Sequence, residues 1–580
     1  MTPAAVVALS CIAIVAVAST VIGSFGVRFA RSTSDFLVAS RTVGATANAG
    51  AISGEYLSAA SFLGIAGLIL KDGPDALWYP VGYTAGYLAL LLFVSAPLRR
   101  SGAYTVPDFA EFRLRSPAVQ RLCTVFVIII GWMYLLPQLQ GAGLTVATVV
   151  PELPAWTGMV AAGVVVVATV VFGGMRSITF VQAFQFWLKF TALALPALVL
   201  VVYVGGDHRP FNRPAPPQFS TDTTVDVRTD VVLQVTQPVN VDAQGVLDGQ
   251  RADGLVTWGP GNHSVLAGAR LGFAAGSSVP VPAGAPVRDS SWLTPLSGDA
   301  DHQLFGIYSL IAALFLGTMG LPHVLVRFYT NPDGRATRRT TVAVLAMLGA
   351  FYLLPTLLGA LSRLYVPQLL VSGDTDAAVL LLPTAALGGG TVATLLGGLV
   401  AAGAWAAFLS TSSGLVVGIA GVLSTSPSLF PKGGVRDFRV AAVIAGVVPL
   451  AMALGSTRLD FAETVALAFA VAASTFCPLL LLGIWWTGLT DRGAICGLLV
   501  GGLSSAGSVS MSLFGLTPGG WLGQLMDRPA LVTVPAAFLT MAVVSKLTAK
   551  RVLPDVPRLL LRLHAPERLG LSQDRARRLS

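Results

Sequence analysis

The stretch Gly54-Glu55-Tyr56-Leu57-Ser58-Ala59-Ala60-Ser61-Phe62-Leu63-Gly64 lies at the centre of an apolar run from residue 44 to residue 70. A run of that length can cross a bilayer, whose hydrocarbon core needs roughly 20 apolar residues in helical form. Polar contacts between packed helices account for Ser58 and Ser61. They account poorly for Glu55, because a carboxylate at membrane depth is costly unless an ion, a partner or a transport pathway requires it. Gly50, Gly54, Gly64 and Gly67 punctuate the same run. Together these features predict a helix interrupted in mid-membrane, where freed carbonyls can meet a cation and freed amides an anion.

The rest of the chain repeats the apolar theme. Its 580 residues are 54% hydrophobic and 11% charged, with a mean hydropathy of +0.74, which excludes a water-soluble globule. About thirteen membrane spans are expected, near residues 4–26, 44–70, 76–97, 119–149, 155–174, 178–203, 304–328, 340–366, 390–424, 437–455, 461–486, 493–515 and 529–547. The net charge of +9 comes from short basic clusters between spans and from the tail after Lys546, a distribution that speaks for topology and against a nucleic-acid surface. Residues 1–10 lack the basic start of a secretory signal, and Arg28 and Arg31 follow the first span. That span is therefore expected to be retained with its N-terminus outside. The same rule puts Arg99, Arg100, Arg113, Arg115, Arg335, Arg338, Arg339, Lys432, Arg436 and the C-terminus on the cytoplasmic side of a bacterial inner membrane. Cys11, Cys123, Cys477 and Cys496 stand singly, without disulfide or zinc spacing.

A second interruption, Gly317-Thr318-Met319-Gly320-Leu321-Pro322-His323, falls in the seventh span. Two interruptions five spans apart predict the first helices of two inverted five-helix repeats. The expected organisation is a first helix and loop over 1–43, one repeat over 44–203, an insertion over 204–303, and a second repeat over 304–489. Accessory helices over 490–547 and a basic tail over 548–580 complete it. Within the insertion, the alternation from Thr224 to Val235 predicts half-exposed strands of a small β-rich unit facing outward, with a flexible linker as the alternative. The sequence shows no nucleotide-binding motif, catalytic Ser-His-Asp order or metal-binding histidine pair.

The ninth span carries Ala406-Ala407-Phe408-Leu409-Ser410-Thr411-Ser412-Ser413-Gly414. Such hydroxyls can bond back to their own helix. They also offer oxygen ligands without a full negative charge, which suits a hard monovalent cation. Ala407, Ser410 and Thr411 share one helix face by their i, i+3, i+4 spacing.

At this point the chain resembles the sodium/solute symporter family, and within it the acetate and monocarboxylate permease branch, the cation acetate symporters. The blocks that carry the resemblance are Ser58-Ala59-Ala60-Ser61-Phe62-Leu63-Gly64, Tyr104-Thr105-Val106-Pro107-Asp108-Phe109, Phe172-Gly173-Gly174-Met175-Arg176, Gly320-Leu321-Pro322-His323-Val324-Leu325-Val326-Arg327-Phe328 and Ala406-Ala407-Phe408-Leu409-Ser410-Thr411. It covers nearly the whole chain outside the insertion. The resemblance implies a leucine-transporter-type fold, sodium as the coupling ion and no other cofactor. Carried over by motif, the sodium ligands would be the carbonyls of Gly54, Leu57 and Ala407 and the hydroxyls of Ser410 and Thr411. Some relatives bind a second sodium with an Asp in the sixth span and two further serines in the ninth. Here Gln182 and Gly414 stand at two of those places while Ser413 remains, so one coupling ion is expected.

A small carboxylate would be drawn to half-helix N-terminal ends, where amides and the helix dipole offset its charge. Small residues at Ala59, Ala60 and Gly317 suit a compact substrate, and Tyr56, Gln138 and Thr318 are candidate hydrogen-bonding partners for it. Glu55 would repel a carboxylate and is placed outside the substrate shell, available to a cation or a proton. His323 is expected to pack between helices, with a role toward a proton or the substrate as the alternative, and Lys189 to snorkel toward the cytoplasm. The resulting expectation is a sodium-coupled symporter that imports acetate or a similar short monocarboxylate by alternating access. The alternatives are proton coupling, another small cargo such as proline or pyruvate, and a transporter-like sensor, for which the short tail leaves no room for a kinase. The sequence is silent on oligomeric state.

Overall fold

A computed structural model describes residues 2–25, 44–204, 217–297, 302–328, 330–331, 334–425, 430, 434–456, 460–513 and 516–565. Arg28, Arg31, Lys432 and the tail beyond Ala565, which carried part of the topology argument, lie outside the described residues.

The first half of the chain forms α1 (Pro3–Phe25), α2 (Ala45–Tyr56), α3 (Ile65–Asp72), α4 (Trp78–Phe93) and α5 (Pro117–Val149). These are followed by α6 (Ala155–Met175) and α7 (Ser177–Tyr203), whose boundary is a kink at Gly174, with φ 61° and ψ −179°. The second half forms α8 (Gln303–Gly320), α9 (Pro322–Phe328), α10 (Gly334–Tyr365), α11 (Gly390–Ser424), α12 (Val435–Gly455) and α13 (Phe461–Trp485), then α14 (Asp491–Leu513) and α15 (Ala530–Leu547).

Among the described residues, twelve helices are long and apolar enough to cross a membrane, one fewer than expected. The difference lies at the opening motif. The second span is split, and its second half continues through a π-helical turn at Ala60–Gly64, α3 and a 3-10 turn at Gly73–Leu77 into α4. Residues 60–93 are thus helical almost throughout, from within one expected span into most of the next, with the turn at Gly73 between them. Gly73 makes the turn with φ 64°, a left-handed conformation that favours glycine, and its backbone lies against the carbonyl of Trp292.

The insertion is a seven-stranded antiparallel sheet built from β1 (Thr223–Asp226), β2 (Val231–Val235), β3 (Val239–Leu247), β4 (Gln250–Trp258), β5 (Gly261–Val265), β6 (Arg270–Phe273) and β7 (Val281–Pro282). Its order is β1-β6-β3-β5-β2-β7, with β4 on the other side of β3. The alternation seen from Thr224 to Val235 becomes β1 and β2. Val225, Leu233, Val235, Val241 and Leu271 point into a core shared with Leu70, Val366, Leu370 and Ala378 of the helical body. The insertion is thus folded onto the bundle, because its sheet buries its apolar face against helix ends, and the flexible-linker alternative does not hold.

Candidate functional site

Two helix breaks meet in the middle of the bundle. At the first, Leu57 leaves the helix with φ −76° and ψ 87°. At the second, Leu321 is extended, with φ −70° and ψ 113°, ahead of Pro322, which cannot continue the hydrogen-bond ladder of α8. Gly54 lets α2 approach α7 so closely that a methyl group there would collide with the carbonyl of Gln182. That contact fixes the depth at which α7 faces the break.

Of the five groups expected to hold sodium, the carbonyls of Gly54 and Leu57 and the hydroxyl of Ser410 face one point. Ser410 donates to the Gly54 carbonyl at 2.7 Å and to Ala407 at 3.1 Å, and Thr411 donates to the Glu55 carbonyl at 2.6 Å. The Leu57 carbonyl faces the same point. What occupies that point is the amine of Lys189, which donates to the carbonyls of Gly54 and Leu57, the latter at 2.7 Å, and to the Ser410 hydroxyl at 3.0 Å. Lys189 is fully buried, so the expectation that it snorkels is wrong. The reason is register: Gln182 and Lys189 are seven residues apart, two turns of α7, and lie on the face that Gly54 admits against α2.

A second group of polar side chains adjoins the first. Glu55 pairs with Arg327 at 2.5 Å, with both side chains at most 2% exposed. The same guanidinium donates to Thr179 at 3.0 Å and to the Gln182 side-chain oxygen, while the Gln182 amide donates to the Ser410 carbonyl at 2.7 Å. Glu55, Arg327, Gln182 and Ser410 therefore form one chain from α2 through α9 and α7 to α11. The break at Leu321 turns α9 so that Arg327 points inward. Gln182 suits this place because it accepts from the guanidinium and donates to the carbonyl at once; an aspartate has no donor for the second bond. Gly414 is pressed against the Glu55 side chain and leaves no space for a serine hydroxyl there.

Of the substrate candidates, Tyr56 and Thr318 share a hydrogen bond of 3.0 Å, and Gln138 accepts from the Ala59 amide at 2.9 Å. Tyr56 stands edge-on to Tyr87 and Tyr83, with centroids 4.6 and 5.9 Å away. Gly317 opens no space for a substrate: a methyl group there would meet the Phe469 carbonyl at 2.5 Å, so its smallness serves the packing of α8 on α13. His323 packs edge-on to Tyr134 at 5.2 Å. Two cavities of about 290 and 220 Å³ lie at the end of the bundle that carries the insertion, away from the breaks. Lys71, Gln140, Asp376 and Asp460 line the larger.

Sequence reasoning missed Arg327 and Lys189 as members of this site. Both signals were present, since an apolar helix with Gln182 and Lys189 on one stripe has a polar seam, and Arg327 stands at membrane depth in the second interrupted span. As arranged, the cage does not fit sodium. A cation placed among Gly54, Leu57 and Ser410 would have to share three oxygens with an amine already bonded to them.

Residues 36–247 and 280–501 match the sequence profile of the sodium:solute symporter family. The chain is 28% identical over 537 residues to a monocarboxylic acid transporter of Corynebacterium glutamicum, covering 88% of this chain and 86% of that protein. It is 29% identical over 535 residues to the uncharacterized symporter YwcA of Bacillus subtilis, covering 90% of each. Among solved structures, a substrate-bound, outward-open sodium-coupled sialic acid symporter superposes with a TM-score of 0.60 at 11% identity, covering 93% of this chain and 98% of the other. That likeness shows the fold, a leucine-transporter-type bundle with two interrupted helices.

Proposed function

The chain belongs to the sodium:solute symporter family, and from that premise we propose that it imports a short monocarboxylate, acetate or a close homologue, in symport with a cation by alternating access. The observation that carries the cargo is the alignment along 86% of a relative named for monocarboxylic acids. Family membership also makes the protein a transporter in a cell membrane, not an enzyme.

In this reading the carboxylate binds at the first break, beside the Ala59 amide that begins the second half of the split span. A helix start favours an anion through its free amides and dipole. Gln138, which accepts from that amide at 2.9 Å, hands it over, and Tyr56 and Thr318 offer hydroxyls to the second carboxylate oxygen. Glu55 does not repel the substrate because Arg327 balances its charge. Of the groups expected to ligate the cation, those of Gly54, Leu57, Ala407, Ser410 and Thr411, three hold the Lys189 amine in this arrangement. Sodium is the ion that family membership supports, whereas the amine among the cage oxygens favours proton coupling as a second reading. The insertion faces outward and the C-terminus lies in the cytoplasm.

Uptake of labelled acetate into proteoliposomes under imposed sodium or proton gradients tests both cargo and ion. Propionate and pyruvate should compete and proline should not. Absence of carboxylate uptake and counterflow in vesicles that accumulate proline would overturn the cargo assignment.

A further inference from the structure

The disagreement between the expected sodium cage and its occupant is a property of this chain. A sodium ion is held by oxygen lone pairs from several directions, and an ammonium group satisfies the same lone pairs with three N–H donors. Lys189 directs its amine at three oxygens, all drawn from the expected sodium ligands: the carbonyls of Gly54 and Leu57 and the hydroxyl of Ser410. The remaining two groups are already engaged locally, with the Ala407 carbonyl accepting from Ser410 and the Thr411 hydroxyl donating to the Glu55 carbonyl.

Charge balance points the same way. Among the described residues, α1 and α11, which pack beside α7, contribute no Asp, Glu, Lys, Arg or His to this region. On the other facing elements, Glu55 and Tyr56 come from α2, and Arg327 and His323 from α9. Among the described residues Glu55 is the single carboxylate there, and Arg327 holds it at 2.5 Å. A metal ion added beside the ammonium would find no second carboxylate to offset the crowding of like charges.

We infer that Lys189 is the resident cation of this cage. Its ammonium, tethered to α7, ties the broken α2 to α11 where a relative with a bound metal ion would use sodium, so closure of this site needs no sodium. The inference rests on the symport reading only for its transport arm, since cation binding is measured without transport.

The test uses the full-length protein in lipid nanodiscs, as wild type, Ser410→Ala, Lys189→Ala, Lys189→Met and Lys189→Ala/Ser410→Ala. Binding of radioactive sodium is followed together with thermal unfolding in sodium or choline chloride at equal ionic strength. Wild type should show no saturable sodium binding and equal unfolding midpoints in the two salts. Lys189→Ala should acquire saturable binding and a higher midpoint in sodium, and the added Ser410→Ala should remove both. Lys189→Met, which retains an apolar stem in the cage, should remain indifferent to sodium. Saturable binding in wild type that Ser410→Ala abolishes would overturn the inference, and so would a folded Lys189→Ala that binds no sodium. If Lys189→Ala does not fold, the wild-type measurements with Ser410→Ala decide. In the transport arm, wild-type acetate uptake should survive replacement of sodium by choline. Failure of uptake in every salt would count against the symport reading and leave the binding result standing.

Discussion

Glu55 and Arg327 are each implausible alone in hydrocarbon, and each explains the other. Breaking a buried ion pair by removing one partner costs about 3–5 kcal/mol, because the remaining charge is left without compensation. Glu55→Gln should therefore lower the unfolding midpoint of the purified protein more than the double variant Glu55→Gln/Arg327→Met, which removes both charges; an additive double-mutant cycle would refute the pairing. Glu55→Asp keeps the charge on a shorter arm and should fall between wild type and Glu55→Gln. Gly54 tests the same region through packing alone. Gly54→Ala puts a methyl group into the Gln182 carbonyl, which should cost about 1–3 kcal/mol and push α2 away from Lys189. Acetate uptake by this variant should fall by a larger factor than its membrane level does, and unaltered uptake would show that the close approach is dispensable.

At the scale of elements, the docking of the insertion depends on a few contacts with the helical body. The Trp292 indole donates to the Ile69 carbonyl at 2.8 Å, and Arg363 meets Asp289 at 3.3 Å under the same helix end. Gly73→Ala would strain the left-handed turn and strike the Trp292 carbonyl, so limited proteolysis should release the insertion faster than in wild type. Unchanged cleavage would mean that the docking does not depend on this turn. Within the sheet, His263 bonds Asp248 at 2.8 Å and the Gly259 carbonyl at 2.9 Å. Partial burial lowers the His263 pKa, but the two acceptors outweigh it and hold the imidazole above its ordinary value. For Asp248, partial burial raises the pKa, and the bonds from His263 and Ser264 outweigh that and hold it below the usual carboxylate range. The histidine contribution is complete below about pH 6.5 and is lost as pH rises through its elevated folded value; the aspartate contribution is lost as pH falls through its depressed one. Screening by solvent keeps the pair under about 1 kcal/mol. Amide exchange in β5, corrected for intrinsic rate, should thus be slower relative to His263→Gln at pH 6 than at pH 8.5, and an equal difference at both pH values would exclude the charge effect.

For the whole molecule, the insertion shares a core with the bundle through Leu70, Val366 and Leu370, while the two helix breaks lie elsewhere. Replacing residues 217–297 by a short flexible linker should therefore lower the unfolding midpoint by exposing these apolar groups. Acetate uptake per folded molecule should persist, and its complete loss in a correctly inserted protein would assign the insertion a part in transport. Orientation is open to a separate measurement. A cysteine in place of Ser264, in a background lacking the four native cysteines, should react with a membrane-impermeant maleimide in intact cells and be protected in inside-out vesicles.

The sequence by itself determined the membrane environment, the two interrupted helices, the β-rich insertion and the family. Each of these is written in local patterns: apolar length, glycine and proline within spans, period-two alternation, and short blocks such as Ser58-Ala59-Ala60-Ser61. It also brought forward the groups at the first break and on α11. Tertiary structure alone decided what those groups enclose. Whether Lys189 reaches water or the Gly54 and Leu57 carbonyls depends on how α7 is rotated against α2. That rotation is set by the contact of Gly54 with the Gln182 backbone, between residues 128 positions apart. The partnership of Glu55 with Arg327 likewise joins the two interrupted spans across the fold. No local pattern encodes either pairing, because each becomes favourable only when packing has removed the water that would otherwise solvate those charges.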